Sequence, residues 1–564
     1  MPTGASDDRT PNPRGQQTRP YNAAWQWQIG RLVARTRSQS GGHPPRGALA
    51  SRLRWLHEPG NAALVRRGLR GVEKESLRVD ARGRLSHRPH PRALGAALTH
   101  PYLTTDYSES LPEFVTAPLH SNWETLQFLC DLHVFAHQRL DGELLWPGSM
   151  PCVLDADHEI PIAYYGTSNP GLLKTIYRRG LGFRYGRAMQ AIAGVHFNYS
   201  PPVDLWPAYR EHEGRSEPVE EFRSSELMGL VRNYRRHAWL VSYLFGASPA
   251  LCKSFKPEGH ELLTELDRGT WHAQFATSLR MSDLGYRNKT QGRLVISANS
   301  LAEYIAALAA AVTTVEPHYE EIGVVVDGEW RQLNANILQI ENEYYSSIRP
   351  KPSKSSHHRP LGALRLTGVE YVEVRTLDLS PTDPVGINQS QLRFVEALLL
   401  YCLFSDSPPI DAAEQVDIDR RDLLVAREGR RPGLELPLAS GTRPLAEWGL
   451  EVVDSVAGLA ELLDSNGEGY VAAVEHAREA LRDPDQTPSA AVLRDLKTER
   501  ATFFEYALGL ARSHREYFLG LELGVEQGRR LPDLAVKSLA EAAALERAPA
   551  PPFEAYLRGY FADV

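Results

Sequence analysis

Hydrophobic and polar positions alternate along several short segments of the chain. In "GVEKESLRVD", Glu73, Glu75, Leu77 and Val79 fall on one side of an extended backbone, and Val72, Lys74, Ser76 and Arg78 fall on the other. Two carboxylates therefore share a face with two apolar side chains. In "GVHFNYS", His196 and Asn198 oppose Val195, Phe197 and Tyr199. In "YVEVRTLD", Tyr371, Glu373, Arg375 and Leu377 oppose Val372, Val374 and Thr376. "LQIENEYY" reads as a further strand, with Gln339, Glu341, Glu343 and Tyr345 opposite Leu338 and Ile340. A strand over 111–116 carries Glu113, following Asp106 and Glu109. Pro112 has no N–H for a ladder, so that strand is predicted to start there or to lie at a sheet edge.

Other segments repeat at helical spacing. Residues 52–65 and 121–140, the long run "ELMGLVRNYRRHAWLVSYLFG" and "LAEYIAALAAAVTT" are predicted helices. After about residue 385 the pattern is almost wholly helical, through "QLRFVEALLLYCLF", "AGLAELLD", "YVAAVEHAREALR", "ATFFEYALGLARSHREYFL" and "LAVKSLAEAAALERA". Strands cluster early and helices late, which favours an α+β fold over a doubly wound parallel sheet. The chain divides into a weakly ordered, basic extension over 1–50, a core over 51–385 and a mainly helical region over 386–564. Within the extension, "AAWQWQIGRLVART" reads as a short basic amphipathic piece, and "SKSSHH" at 353–358 reads as a loop.

Composition narrows the class. The 564 residues carry a net charge of -7, with a sequence pI near 6.3 and a mean hydropathy of -0.36. No apolar run is long enough for a bilayer, and the charge gives no general attraction to nucleic acid or acidic membranes. Neither is expected as a partner. The four cysteines, Cys130, Cys152, Cys252 and Cys402, form no C-x-x-C pair. That argues against a zinc site or a disulfide framework and for a reducing cytoplasm. The first 20 residues lack the apolar stretch of a signal peptide. No phosphate-binding G-x-x-x-x-G-K-[ST] loop and no G-x-S-x-G elbow occur, and "GLGFRYG" does not match G-x-G-x-x-G.

The acids then become the centre of interest. Glutamate on the wet face of one half-exposed strand is routine. Several such strands side by side in an antiparallel sheet would make a strongly acidic face, whose carboxylates stay ionised only with cations among them. Oxygen ligands without cysteine suit Mg²⁺ or Mn²⁺, which keep positions open for substrate phosphates. Arg375, on the same face as Glu373, is placed to meet a transferring phosphoryl group.

Nine blocks in order extend this reading: "RRGLRGVEKESLRVD", "ALTHPYLTTDYSESLPEF", "MPCVL", "YGTSNPG", "GVHFNYS", "YLFGASPALC", "ATSLRMSDLGYRNK", "LQIENEYYSSIRPK" and "VEYVEVRTLDLSP". Together they closely resemble the bacterial-type glutamate–cysteine ligase family, from about residue 55 to at least 520. The resemblance implies a glutamine-synthetase-like curved antiparallel sheet that forms an active-site funnel, with flanking helices. It implies ATP-dependent joining of the glutamate γ-carboxylate to the cysteine amine, with two or three Mg²⁺ or Mn²⁺ ions, in a monomer. By position, Glu73, Glu75, Asp106, Glu113, His196 and Glu373 resemble the metal set, and Arg375 the contact to the ATP γ-phosphate. Arg375, Glu73 and Glu373 would be the catalytic groups. Tyr177, Arg178, Leu181, Gln190, Asn198, Arg280, Tyr286 and Tyr345 resemble the amino-acid pocket. A relative that takes another amine, or a metabolite-binding protein without turnover, are the competing readings.

Overall fold

The alternating segments pair with one another. In a computed structural model, which describes residues 47–151, 153–154, 156–255, 263–285, 294–353 and 359–562, six strands form one antiparallel sheet. They are β1 (Leu69–Glu75), β2 (Leu103–Thr105), β3 (Pro112–Val115), β4 (Val195–Ser200), β5 (Ile348–Lys351) and β6 (Tyr371–Leu377). Their order is β5-β6-β4-β1-β3-β2. The amphipathic stretch of the extension, and most of "SKSSHH", lie outside the described residues.

Register decides what the sheet presents. Glu73 pairs with His196 and Gly71 with Asn198. Glu75 pairs with Glu113, Glu373 with Asn198, and Arg349 with Glu373. Directly opposed residues point to the same face, so one face collects these charged and polar side chains. The other face holds Val72, Val195, Phe197, Val372 and Val374, all fully buried. Helices α2 (Asn122–His137) and α4 (Val219–Phe245) pack on the sheet, α2 against β1 and β3 and α4 against β5 and β6. Between these two in sequence lies α3 (Asn169–Tyr185).

Two details differ from expectation. β1 stops at Glu75, because Ser76 turns to bond the Trp146 carbonyl (3.0 Å) and Arg78–Val79 pairs with Leu144–Leu145 in a separate ribbon. Leu77 and Val79 thus belong to the buried core beyond the sheet, not to its charged face. β3 does start at Pro112, yet it lies inside the sheet between β1 and β2. The predicted helix over 52–65 is two pieces, α1 (Gly47–Leu56) and a short turn of helix at Ala63–Arg66, parted by Pro59 and Gly60.

The later helices are α5 (Gln389–Phe404), α6 (Ala412–Glu428), α7 (Leu445–Leu463), α8 (Tyr470–Arg482), α9 (Phe503–Leu519), α10 (Val525–Arg547) and α11 (Phe553–Phe561). A buried ion pair joins them to the sheet. The Arg70 guanidinium of β1 donates to both carboxylate oxygens of Glu396 in α5. Glu396 also accepts from Asn122 Nδ2 (3.0 Å) and the Tyr470 hydroxyl (2.8 Å). Both charges are almost wholly excluded from water, at 2% and 0% exposure.

Beneath the sheet sits a second polar cluster. Lys74 Nζ donates to Ser76 Oγ (2.7 Å) and meets His133 Nε2 (3.1 Å). His133 Nδ1 donates to the Leu129 carbonyl (2.8 Å), which leaves Nε2 as the acceptor for Lys74. The rings of His133 and His137 stack on Phe518 of α9. Burial pushes Lys74 down to about 7, His137 down to about 3 and His514 down to about 4.

Two measurements follow from these buried groups. Glu396→Ala strands the Arg70 charge in the core and should cost about 3–5 kcal/mol in denaturant unfolding; a loss under about 1 kcal/mol contradicts the pairing. The depressed histidines stay neutral in the folded chain while the unfolded chain takes up protons below about pH 6.5. Their contribution is fully present above that value and is lost as pH falls toward their folded values. The denaturant midpoint should therefore drop between pH 7 and pH 5, and His137→Asn should lessen the drop. An unchanged slope in that variant contradicts the assignment.

Candidate active site

The charged face has a graded composition along the strand order. At the β5–β6 end, Glu373 is surrounded by cations. Its carboxylate accepts from Lys351 Nζ (2.6 Å) and Arg375 Nη1 (2.7 Å), with Arg349 Nη1 at 3.7 Å. Burial opposes ionisation of Glu373, but Lys351, Arg375 and Arg349 hold its carboxyl well below the usual range. Three cations around one acid leave a positive surplus. Arg349 Nε and Arg375 Nε are buried there without a hydrogen-bond acceptor.

The middle of the face is occupied by Glu73. It accepts from His196 Nδ1 (3.0 Å) and Asn198 Nδ2 (2.9 Å). Burial and Glu373 push its carboxyl up, while His196 and Lys351 outweigh them and bring it below its ordinary value. Asn198 Oδ1 has no partner.

At the β1–β3 end the balance reverses. Burial and Asp106 push Glu75 up to about 8, against Arg280, the Gly194 N–H and Arg375. Burial, then Glu73, Asp106 and Glu75, push Glu113 well above the carboxylate range. Glu75 lies 3.9 Å from His196 Nε2. Among the described residues, Glu73, Glu113 and His196 offer ligand atoms that all lie within 4.8 Å of one another. Crowded carboxylates that would take protons in the absence of a counter-ion are the donor set a hard divalent cation satisfies. Mg²⁺ or Mn²⁺ therefore fits Glu73, Glu113 and His196, with Glu75 and Asp106 alongside. Glu373 is brought to the same face, but its two oxygens are engaged by Lys351 and Arg375.

α3 reaches toward the acidic end of the face. Arg178 Nε donates to the Asp106 carbonyl, and its Nη2 reaches the Thr105 carbonyl (3.4 Å). Burial raises the Tyr177 hydroxyl above its ordinary value, and its charged neighbours are Glu343, Arg178, Arg349 and Asp106. Leu181 lies one turn further on and is buried. Gln190 lies in the short turn Met189–Ala191 that leads to β4. Arg280 is 2% exposed. It donates to the Arg375 carbonyl (3.0 Å) and stands 3.7 Å from Asp378. A Cβ at Gly194 would meet the guanidinium at 2.1 Å, so any larger residue there would have to displace the Arg280 head. The Tyr345 hydroxyl meets Met281 Sδ (3.2 Å) and is felt by Arg375. Tyr286 lies outside the described residues.

One expected strand is absent from the sheet. Residues Glu341–Glu343 make a single 3-10 turn. Glu343 accepts from the Gln339 N–H (2.7 Å), Arg184 (2.9 Å) and the Tyr185 hydroxyl (2.6 Å), while Glu341 pairs with Arg359 (2.7 Å). A side chain that bonds its own nearby backbone competes with a ladder, so these acids serve the scaffold and leave the charged face. Glu109 likewise caps backbone, accepting from His90 N (2.7 Å) and Tyr164 N (2.8 Å). Conversely, Lys351 and Arg349 join the face although sequence reasoning did not single them out. Their spacing by two around Pro350 in "SIRPKP" was the available signal.

Comparison with known proteins agrees with this geometry. A family model described as glutamate-cysteine ligase matches residues 53–425. The glutamate–cysteine ligase of Azotobacter vinelandii is 47% identical over 518 residues, covering 91% of this chain and 98% of the relative. That of Shewanella oneidensis is 48% identical over 505 residues, covering 89% and 96%. A crystal structure of the Francisella tularensis glutamate–cysteine ligase in complex with AMP superposes with a TM-score of 0.83 at 34% identity, covering 88% of this chain and 97% of that one. A bifunctional glutathione synthetase from Pasteurella multocida shares the fold, with a TM-score of 0.63 at 23% identity over 82% of this chain and 53% of that one. With the matched model spanning all six strands of the sheet that builds the charged face, the chain belongs to the glutamate–cysteine ligase family.

Proposed function

We propose that this chain joins the γ-carboxylate of L-glutamate to the amine of L-cysteine, cleaving ATP to ADP and phosphate and releasing γ-glutamylcysteine. This is the first step of glutathione synthesis. The observation that carries the reading is the graded face: an acid-rich cluster of Glu73, Glu75, Glu113 and His196 adjoining the Lys351, Arg349 and Arg375 cations. A divalent cation held by the first group would offset the charge of the triphosphate and of the attacking carboxylate. The second group would hold phosphate oxygens.

The chemistry divides between these two ends. A glutamate oxygen attacks the γ-phosphorus, and the bond to the ADP oxygen breaks, leaving a γ-glutamyl phosphate. Two anions must approach, so Arg375 and Lys351 serve by neutralising the phosphoryl oxygens as charge spreads over them. The unpartnered N–H groups of Arg349 and Arg375 are donors available for that purpose. The cysteine amine then attacks the acyl carbon and phosphate departs. Tyr177, Arg178, Leu181, Gln190, Asn198, Arg280, Tyr286 and Tyr345 are assigned to the two amino acids, with α3 over the acidic end. His196 and Asn198 fix the Glu73 carboxylate from two sides, which orients it without a proton of its own.

The same reading carries two or three Mg²⁺ or Mn²⁺ ions, with Asp106 and Glu373 completing the set, and a monomer in the cytoplasm. It keeps 51–385 as the catalytic core and 386–564 as the helical region packed on it. Cys130, Cys252 and Cys402 are free thiols, as a reducing compartment requires. No described helix is long and apolar enough to cross a membrane.

With ATP, Mg²⁺ and glutamate supplied, phosphate release should depend on cysteine and cease with a chelator. Glu73→Gln should lower turnover by roughly a hundredfold or more with an unchanged circular dichroism spectrum. Full turnover in that variant, or faster release with another amine acceptor, refutes the assignment. Lys351→Ala should raise the KM for ATP by roughly tenfold, the scale of one lost charge-assisted hydrogen bond. The KM values for the amino acids should stay near wild type, and an effect confined to them would move Lys351 out of the phosphate site.

A further inference from the structure

Helix α3 is held on its far side by a segment more than 360 residues away in sequence. Ser168 at its N-cap makes no capping hydrogen bond. Glu546, in the last turn of α10, instead holds the two residues that lead into the helix. The Glu546 carboxylate accepts from the Thr167 N–H (2.7 Å), the Ser168 N–H (3.0 Å) and the Thr167 hydroxyl. A carboxylate in this place also meets the positive end of the α3 dipole. Gly166, at φ +91°, supplies the close approach, since a Cβ there would collide with Glu546 Oε1.

The chain then runs through Pro549, Pro551 and Pro552 into α11. Asn169, the first residue of α3, donates to the Pro551 carbonyl (2.9 Å). Leu557 of α11 packs with Ile176 of α3 and Leu333 in a small apolar cluster separate from the main core. Phe553 meets Trp330 edge to face (5.1 Å). The Arg359 guanidinium lies over Tyr560 and Phe561 (4.6 and 4.8 Å) while bonding Glu341. One side of α3 therefore reaches the Asp106 carbonyl through Arg178, and another is clasped by α11.

We propose that Glu546–Phe561 is a positioning strap, which holds α3 over the charged face and so sets Tyr177, Arg178 and Leu181 for the amino-acid substrates. The inference rests on the assignment of those residues to the amino-acid pocket. The strap's contacts fall on Thr167 and Ser168 just ahead of α3, on α3 itself, and on Trp330, Leu333 and Arg359, and none of the contacts described falls on Lys351, Arg349 or Arg375. It governs amino-acid binding and leaves the phosphate end alone. The capping contact is exposed and the apolar cluster small, so release costs little and the rest of the molecule keeps its core.

Steady-state kinetics test this, using Glu546→Ala and Glu546→Gln in the 564-residue chain and a shortened chain ending at Ala548. The shortened chain should raise the KM for glutamate or cysteine by roughly tenfold and Glu546→Ala by roughly threefold, the scale of a lost cap. The KM for ATP should remain within about twofold, and Glu546→Gln, which keeps an acceptor oxygen, should recover part of the effect. Hydrogen exchange of residues 169–185 should speed up in Glu546→Ala while β1, β4 and β6 keep their protection. Should the shortened chain not fold, Glu546→Ala decides alone. Unchanged amino-acid KM values, or an equal rise for ATP, overturn the strap. Arg178→Ala separates the two layers: if it leaves amino-acid binding intact, the pocket assignment has failed; if it weakens binding and the strap variants do not, the strap has failed.

Discussion

A strand repeats every two residues, and six strands in fixed register turn that repeat into a sheet with two unlike faces. Everything else in this molecule answers to that constraint. A one-residue slip of β4 against β1 would bury His196 among valines and bring Phe197 to the charged face. The apolar face prevents the slip, because Val72, Val195, Phe197, Val372 and Val374 can be removed from water only in this alignment. Core packing thereby fixes the separation of carboxylates on the opposite side. The charges do not assemble the site; the hydrocarbon behind them does.

The charged face is asymmetric for the same reason. β5 and β6 contribute Arg349, Lys351 and Arg375 around one acid, whereas β1 and β3 contribute three acids with a histidine beside them. Opposite potentials therefore sit a few strand spacings apart, about 4.8 Å each.

Much of this was legible in the sequence, and the exceptions have physical causes. Alternation put Glu73 and Glu75, His196 and Asn198, and Glu373 each on the polar side of its own strand, because each lies in a segment where the pattern is also the structure; Glu113 was singled out by the family resemblance, and the register of the strands then brings all six to one face. Glu341 and Glu343 have the same spacing, yet they leave the sheet. Arg184 and Arg359 claim them, and neither partner is visible from a local window. Likewise, Leu77 and Val79 continue the alternation of β1 in sequence after the backbone has left the sheet at Ser76. Helices were readable from apolar spacing throughout the second half, including α5, α8 and α9. The relation of Glu546 to Thr167 was not readable, since a capping residue supplied from a distant helix leaves no mark near the helix it caps.

The Arg70–Glu396 pair bears on how the chain is divided. By function, one draws a line near residue 385, after the last strand of the charged face. A buried ion pair crosses that line, since the Arg70 guanidinium in β1 meets a carboxylate at 0% exposure eleven residues past that point. An isolated first part would hold the Arg70 cation with only the Gly68, His120 and Arg66 carbonyls as acceptors and no carboxylate, and an isolated second part a buried carboxylate with no donor from β1. The two parts thus share one buried charge pair, and a substitution of Glu396 in α5 acts directly on β1.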